Sequence, residues 1–266
     1  MARRATTRSI LCVGLDPELD RLPEGISRDV AGVTQFVSSI IEATADQAGA
    51  FKPNLAFYEA LGPEGIPALQ YLLRQIPGGI PIIADAKRSD IGNSARLYAA
   101  AVFDVLHCDA IIVNPYQGSD SVEAYMTRPD RGVYVLARTS NPGSADFQEL
   151  LVEGEPLYRH IVRRALRWKR SGTLGFVVGA TAPDQIKAVR EDAPDAPLLI
   201  PGIGVQGGDV QASIRFGRRS DGGGLLLSAS RSILYASSRA DFADAARAEA
   251  QRLVDRMRSA AAEVAA

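Results

Sequence analysis

At 266 residues and 46% hydrophobic content the chain can bury a substantial core, and 30 Lys and Arg against 31 Asp and Glu leave no net field to draw in nucleic acid or an anionic membrane. Any anion site must be local, and a small molecule is the expected partner. Only Cys12 and Cys108 are present, both in or beside apolar stretches, which excludes a disulfide framework and fits a reducing cytoplasm.

The opening MARRATTRSILCVGL places basic residues before an apolar stretch, but Asp16 ends that stretch after about five residues, too few for a signal core. No targeting segment is expected. No apolar run approaches the roughly 18 residues that span a bilayer. Short apolar runs with the composition of buried parallel strands then recur at 11–16, 50–55, 81–87, 110–115, 133–139, 174–181, 197–204 and 224–231. Helical periodicity fills the intervals at 30–47, 64–76, 94–106, 155–171 and 183–192, with weaker helices at 118–127 and 208–219 and an Ala/Arg-rich helix from Ala240 to Ala266.

This alternation, at a length near the roughly 250 residues typical of the architecture, predicts an α/β fold, a (β/α)8 TIM barrel forming a single domain over 1–266. The stretch 139–155, the longest without an obvious helix, is expected to act as a lid after the fifth strand. Such barrels carry their chemistry at the C-terminal ends of the strands. Those ends hold Asp16, Lys52 with Asn54, Asp85 with Lys87, Asn114, Arg138 with Ser140, Pro201 with Gly202, and Arg231, so polar groups converge on one rim.

The strongest local signal is Asp85-Ala86-Lys87-Arg88-Ser89-Asp90-Ile91-Gly92-Asn93-Ser94. Strand alternation predicts that Asp85 and Lys87 point the same way, with Lys52 close by on the neighbouring strand. An isolated D-x-K reads first as an ordinary rim salt-bridge network. Buried charges are costly unless paired, however, so two Lys and two Asp clustered here suggest an array kept for function.

GLDP (14–17), FKPN (51–54), DAKRSDIGNS (85–94), ARTSNPG (137–143), PGIGVQGG (201–208) and SASR (228–231) follow one another at strand ends, and in this order they resemble the orotidine 5′-monophosphate decarboxylase family, most closely its longer bacterial and archaeal branch. The resemblance implies decarboxylation of orotidine 5′-monophosphate to uridine 5′-monophosphate in pyrimidine biosynthesis, without cofactor or metal. It maps the family's Lys-Asp-Lys-Asp array onto Lys52, Asp85, Lys87 and Asp90. It further implies that Asp90, Ile91 and Ser94 reach the partner's site across a cytoplasmic homodimer, and that Asp16 binds ribose hydroxyls with support from Asn54. Ser140 would read the pyrimidine edge, while Pro201, Gly202, Gln206 and Arg231 would hold the phosphate. Ser94 stands where Thr is commoner, keeping the hydroxyl and losing a methyl.

Two other functions compete. A magnesium-dependent decarboxylase or aldolase acting on keto-sugar phosphates shares the D-x-K-x-x-D spacing, but it carries a Glu metal ligand after strand two where this chain has Lys52-Pro53-Asn54. A non-catalytic phosphate-binding barrel would have no need of interleaved lysines and carboxylates. The stretch 202–207 also satisfies G-x-G-x-x-G, but it follows the seventh strand rather than the first, and Asp221 precedes the eighth strand rather than ending one, which disfavours a dinucleotide site. His107 and His160 fall in helical segments away from the strand ends, and Trp168 with its basic neighbours reads as a solvated outer helix.

Overall fold

The computed structural model describes residues 9–203 and 208–265. Eight parallel strands, β1 (Leu11–Leu15), β2 (Ala50–Pro53), β3 (Ile83–Arg88), β4 (Ala110–Val113), β5 (Gly132–Arg138), β6 (Thr173–Val178), β7 (Leu198–Pro201) and β8 (Leu225–Ala229), pair in the order 2-1-8-7-6-5-4-3. Bridges Phe51↔Ile82 and Asn54↔Asp85 join β2 to the β3 segment, so the strands close on themselves as a TIM barrel. The main outer helices are α1 (Val30–Thr44), α2 (Gly65–Gln75), α3 (Gly92–Ala100), α4 (Leu157–Ala165), α5 (Pro183–Asp192), α6 (Val210–Gly217) and α7 (Phe242–Ala265).

Residue pattern explains both layers. On α1, Val33, Phe36, Val37, Ile40 and Ile41 recur at helical spacing and are buried, and the Asp29 side chain caps the helix by accepting from Gly32 N–H at 2.8 Å. Along β1, Leu11, Val13 and Leu15 join the core between strands and helices, while Cys12 joins Ala50, Ile83, Ala110, Ile112, Tyr134, Val177 and Leu199 in a separate apolar plug inside the barrel. Period-two alternation thus decides which residues stand above that plug. On β2 Ala50 belongs to the plug and Lys52 follows it; Gly14 pairs with Lys52, and Ser228 pairs with Pro201.

Several sequence expectations are corrected. The helix expected over 94–106 leaves α-geometry after Ala100 and ends as a π-turn at Ala101–Val105, with Leu106 N–H donating to Ala101 O at 3.0 Å; His107 lies beyond it with φ 54°. The helix expected over 155–171 stops at Ala165, and Trp168 packs half-buried against the core rather than standing on a solvated face. The supposed helix-free stretch after β5 contains a 3-10 turn at Pro142–Ser144, a short helix at Ala145–Gln148 and a two-stranded hairpin pairing Leu151 with Pro156. Among the described residues no helix is long and apolar enough to cross a membrane.

Candidate active site

At the C-terminal end of the barrel, Asp85 accepts a hydrogen bond from Lys52 Nζ at 3.0 Å through one oxygen and from Lys87 Nζ at 2.5 Å through the other. Lys52 and Asp85 are buried, with 6% and 7% exposure, whereas the Lys87 side chain is 48% exposed. Burial works against the charge on Lys52, but Asp16 and Asp85 outweigh it and hold the ammonium above the ordinary lysine range. Burial likewise opposes ionisation of Asp85, yet Lys52 and Lys87 prevail and hold its carboxyl below the usual range. Burial pushes the Cys12 thiol up to about 12.

Simple strand alternation is not what brings Asp85 and Lys87 together. The β3 register runs regularly through Ala84↔Ile111 and resumes at Arg88↔Val113, so Asp85–Lys87 occupy the interval that Ile112 alone fills on β4. Within this bulge Lys87 adopts φ 47°, a left-handed conformation that a non-glycine residue seldom takes without compensation. The expected convergence is present, but it is reached through a bulge.

Asp16 and Asn54 lock the first two strand ends together. Asn54 N–H donates to Asp16 Oδ1 at 3.1 Å, and the Asn54 side chain caps the following short helix by accepting from Ala56 N–H at 3.2 Å. Behind them the Tyr58 hydroxyl donates to Leu15 O at 3.0 Å, and the Tyr235 hydroxyl accepts from Glu18 N–H at 2.6 Å. A cleft of about 250 Å³ opens here, lined by Asp16, Lys52 and Asn54 and by Pro201, Gly202 and Arg231. Arg231 is exposed and forms no ion pair among the described residues, leaving its guanidinium available to an anion. Gly202 has φ 101°, a conformation that requires glycine at this wall.

Six expected residues therefore share one cleft, and Lys52 links it to Asp85 and Lys87. Gln206 lies outside the described residues. Ser140 does not line the cleft; it sits in the loop after β5, pressed against Gly179 at the end of β6, where an added Cβ would lie 2.9 Å from its own Cβ. Asp90, Ile91 and Ser94 also lie off the cleft. Asp90 accepts from Ile91 N–H at 2.7 Å and forms no ion pair with Lys52 or Lys87, and Ile91 and Ser94 are exposed at the start of α3. Sequence reasoning passed over Ser228, Ser230 and Ser232, which line the cleft around Arg231. The signal for Ser228 and Ser230 is the SASR stretch, in which only the arginine carries an expected role, and Ser232 follows it directly. Among the described residues no three His, Cys, Asp or Glu side chains group as a metal site would need.

The comparisons with known proteins point the same way. Residues 9–248 match the model of the orotidine 5′-phosphate decarboxylase / HUMPS family. An orotidine 5′-phosphate decarboxylase of Thermomicrobium roseum is 49% identical over 264 residues, covering 98% of this chain and 94% of that protein. One from Herpetosiphon aurantiacus is 48% identical over 252 residues, 94% of this chain and 93% of that one. The solved OMP decarboxylase of Leishmania donovani superposes with a TM-score of 0.85 at 40% identity, covering 96% of this chain and 94% of that chain. A match across most of its length, relatives near half identity and a shared barrel establish that the chain belongs to the orotidine 5′-phosphate decarboxylase / HUMPS family.

Proposed function

We propose that this chain decarboxylates orotidine 5′-monophosphate to uridine 5′-monophosphate and CO2 without a cofactor, with Lys87 as the proton donor. The observation that carries the reading is one carboxylate, Asp85, gripping a buried and a half-exposed lysine beside a cleft also lined by Arg231, which forms no ion pair among the described residues. When the C6–carboxylate bond breaks, the electron pair stays on C6 in an sp2 orbital orthogonal to the ring π system, so no ordinary electron sink is available. The Lys87 ammonium stabilises that charge and then transfers a proton to C6. Lys87 is open enough to regain its proton from water.

Asp85 keeps Lys87 charged and aimed, while Lys52 balances the carboxylate and touches the ribose. Asp16 binds ribose hydroxyls with Asn54 in support. Gly202, Pro201, Gln206 and Arg231 hold the phosphate, so that binding energy from a remote group supports catalysis. Ser140 reads the pyrimidine edge. Asp90, Ile91 and Ser94 complete the site of a second copy in a cytoplasmic homodimer. Among the described residues Asp90 has no lysine partner, and the apolar side chains that follow it at Ile91, Leu97 and Tyr98 are exposed. The whole of 1–266 acts as one catalytic domain.

The test is the ultraviolet change as purified protein consumes orotidine monophosphate. Lys87→Ala should lower kcat by about 10⁴-fold or more while uridine monophosphate binds within about tenfold of the unmodified protein. Wild-type protein that binds the product but releases no CO2 from the substrate sinks the enzymatic reading.

A further inference from the structure

Among the described residues two hydroxyls in the cleft find no hydrogen-bond partner, those of Ser230 and Ser232, although both are out of contact with solvent. A buried polar group left unsatisfied loses its hydration without recompense, so a native protein that keeps one at its cleft invites a functional account. Ser230 has the more informative surroundings. It follows β8 and leans across to β1, where a Cβ built on Gly14 would lie 2.6 Å from Ser230 Cβ, 2.9 Å from its Oγ and 3.1 Å from Asp16 Oδ2. Glycine at position 14 is therefore what allows Ser230 to approach Asp16. The serine hydroxyl and the carboxylate oxygen border the same small volume, about 3 Å from one point.

Among the described residues only the other oxygen of Asp16, Oδ1, is engaged, by Asn54 N–H at 3.1 Å. Asp16 Oδ2 can only accept, whereas Ser230 can donate. A single ligand hydroxyl between them satisfies both, donating to the carboxylate and accepting from the serine. Rotation about one Cα–Cβ bond moves Ser230 Oγ among three staggered positions, so the hydroxyl can turn to meet such a group.

We propose that Ser230 is a substrate-binding residue that holds one hydroxyl of the nucleotide's sugar jointly with Asp16, and that Gly14 makes the room for it. The inference rests on the nucleotide-decarboxylase reading above and adds to it a selectivity for ribose over deoxyribose.

Titration calorimetry of Ser230→Ala against uridine monophosphate and its 2′-deoxy and 3′-deoxy analogues tests this, with thermal unfolding alongside. The expected result is an affinity for uridine monophosphate about five- to tenfold weaker, no change in affinity for one of the two deoxy analogues, and a melting temperature equal to or above wild type because an unsatisfied oxygen is gone. Gly14→Ala should weaken uridine monophosphate more than Ser230→Ala does, since the new methyl displaces both partners. Equal weakening of all three ligands, or no weakening at all, overturns the proposal while leaving the enzymatic reading intact. If the unmodified protein does not bind uridine monophosphate, both fall.

Discussion

Lys52 holds its positive charge against the opposing effect of burial, because Asp16 and Asp85 face it from the neighbouring strands. Breaking a buried ion pair typically costs about 3–5 kcal/mol, and since Lys87 would still face Asp85, Lys52→Met should cost about 2 kcal/mol in urea unfolding. The pH dependence follows from the two shifts. Asp85 is held below its ordinary value, so its contribution is present at neutral pH and is lost as pH falls below about 4 through its folded value. Lys52 is held above its ordinary value, so its contribution is complete below about pH 10 and lost only as pH rises through the higher folded value. The stability difference between wild type and variant should therefore stay flat from about pH 5 to 10 and shrink at both extremes. A difference that changes near neutral pH would assign the coupling to another group. This pair was legible in the sequence because regular strands place Lys52 and Asp85 on one rim. The left-handed backbone at Lys87 was not, since nothing in the D-A-K pattern distinguishes a bulge from a continued pleat.

Elements meet at two places where function and stability separate. At the C-terminal face, Gly179 at the end of β6 leaves space for Ser140, whose N and Cα would each lie 3.1 Å from an added Cβ. Gly179→Ala should push the β5 loop outward and lower kcat/KM by about tenfold or more, read by steady-state kinetics, while leaving the melting temperature near wild type. At the other end of the barrel, the Arg190 guanidinium on α5 donates to the carbonyls of Ala193, Pro194, Ala196, Gly217 and Gly224, tying the approaches to β7 and β8 together. Arg190→Lys keeps the charge but loses the planar fork, and should cost about 2 kcal/mol of stability with kcat/KM unchanged. The strands were legible because each is a short apolar run ended by a polar residue. Arg190 was not, because its partners are main-chain carbonyls, some within six residues and others at Gly217 and Gly224, which no side-chain pattern records. The π-turn after Ala100 escaped for a related reason: apolar spacing continues through it while the hydrogen bonding changes.

At the scale of the whole molecule, the question is whether one chain holds a complete site. Lys52, Asp85 and Lys87 are assembled within a chain, whereas Asp90 lies in the turn before α3 beside an exposed apolar face, with Leu97 63% exposed. That turn is held firmly: Arg88 pairs with Glu59 and lies 5.1 Å from the Tyr98 ring centroid, and Ser89 Oγ donates to Gln117 Oε1 at 2.9 Å. A turn so anchored holds Asp90 in a fixed position. If Asp90 serves a second copy, Lys87→Ala and Asp90→Ala proteins should each be inactive alone, yet recover activity when their subunits are exchanged. In the mixed dimer one site carries both substitutions and the other carries neither. With equal amounts and random exchange, half the dimers are mixed and half of their sites are intact, so recovery should approach about one quarter of the wild-type rate. If Asp90 instead serves its own chain, every site in every dimer carries one substitution and exchange restores nothing. Leu97→Glu supplies the complementary arm: it should shift sedimentation to the monomer and abolish turnover together, because separating the subunits removes Asp90 from Lys87 without altering either residue.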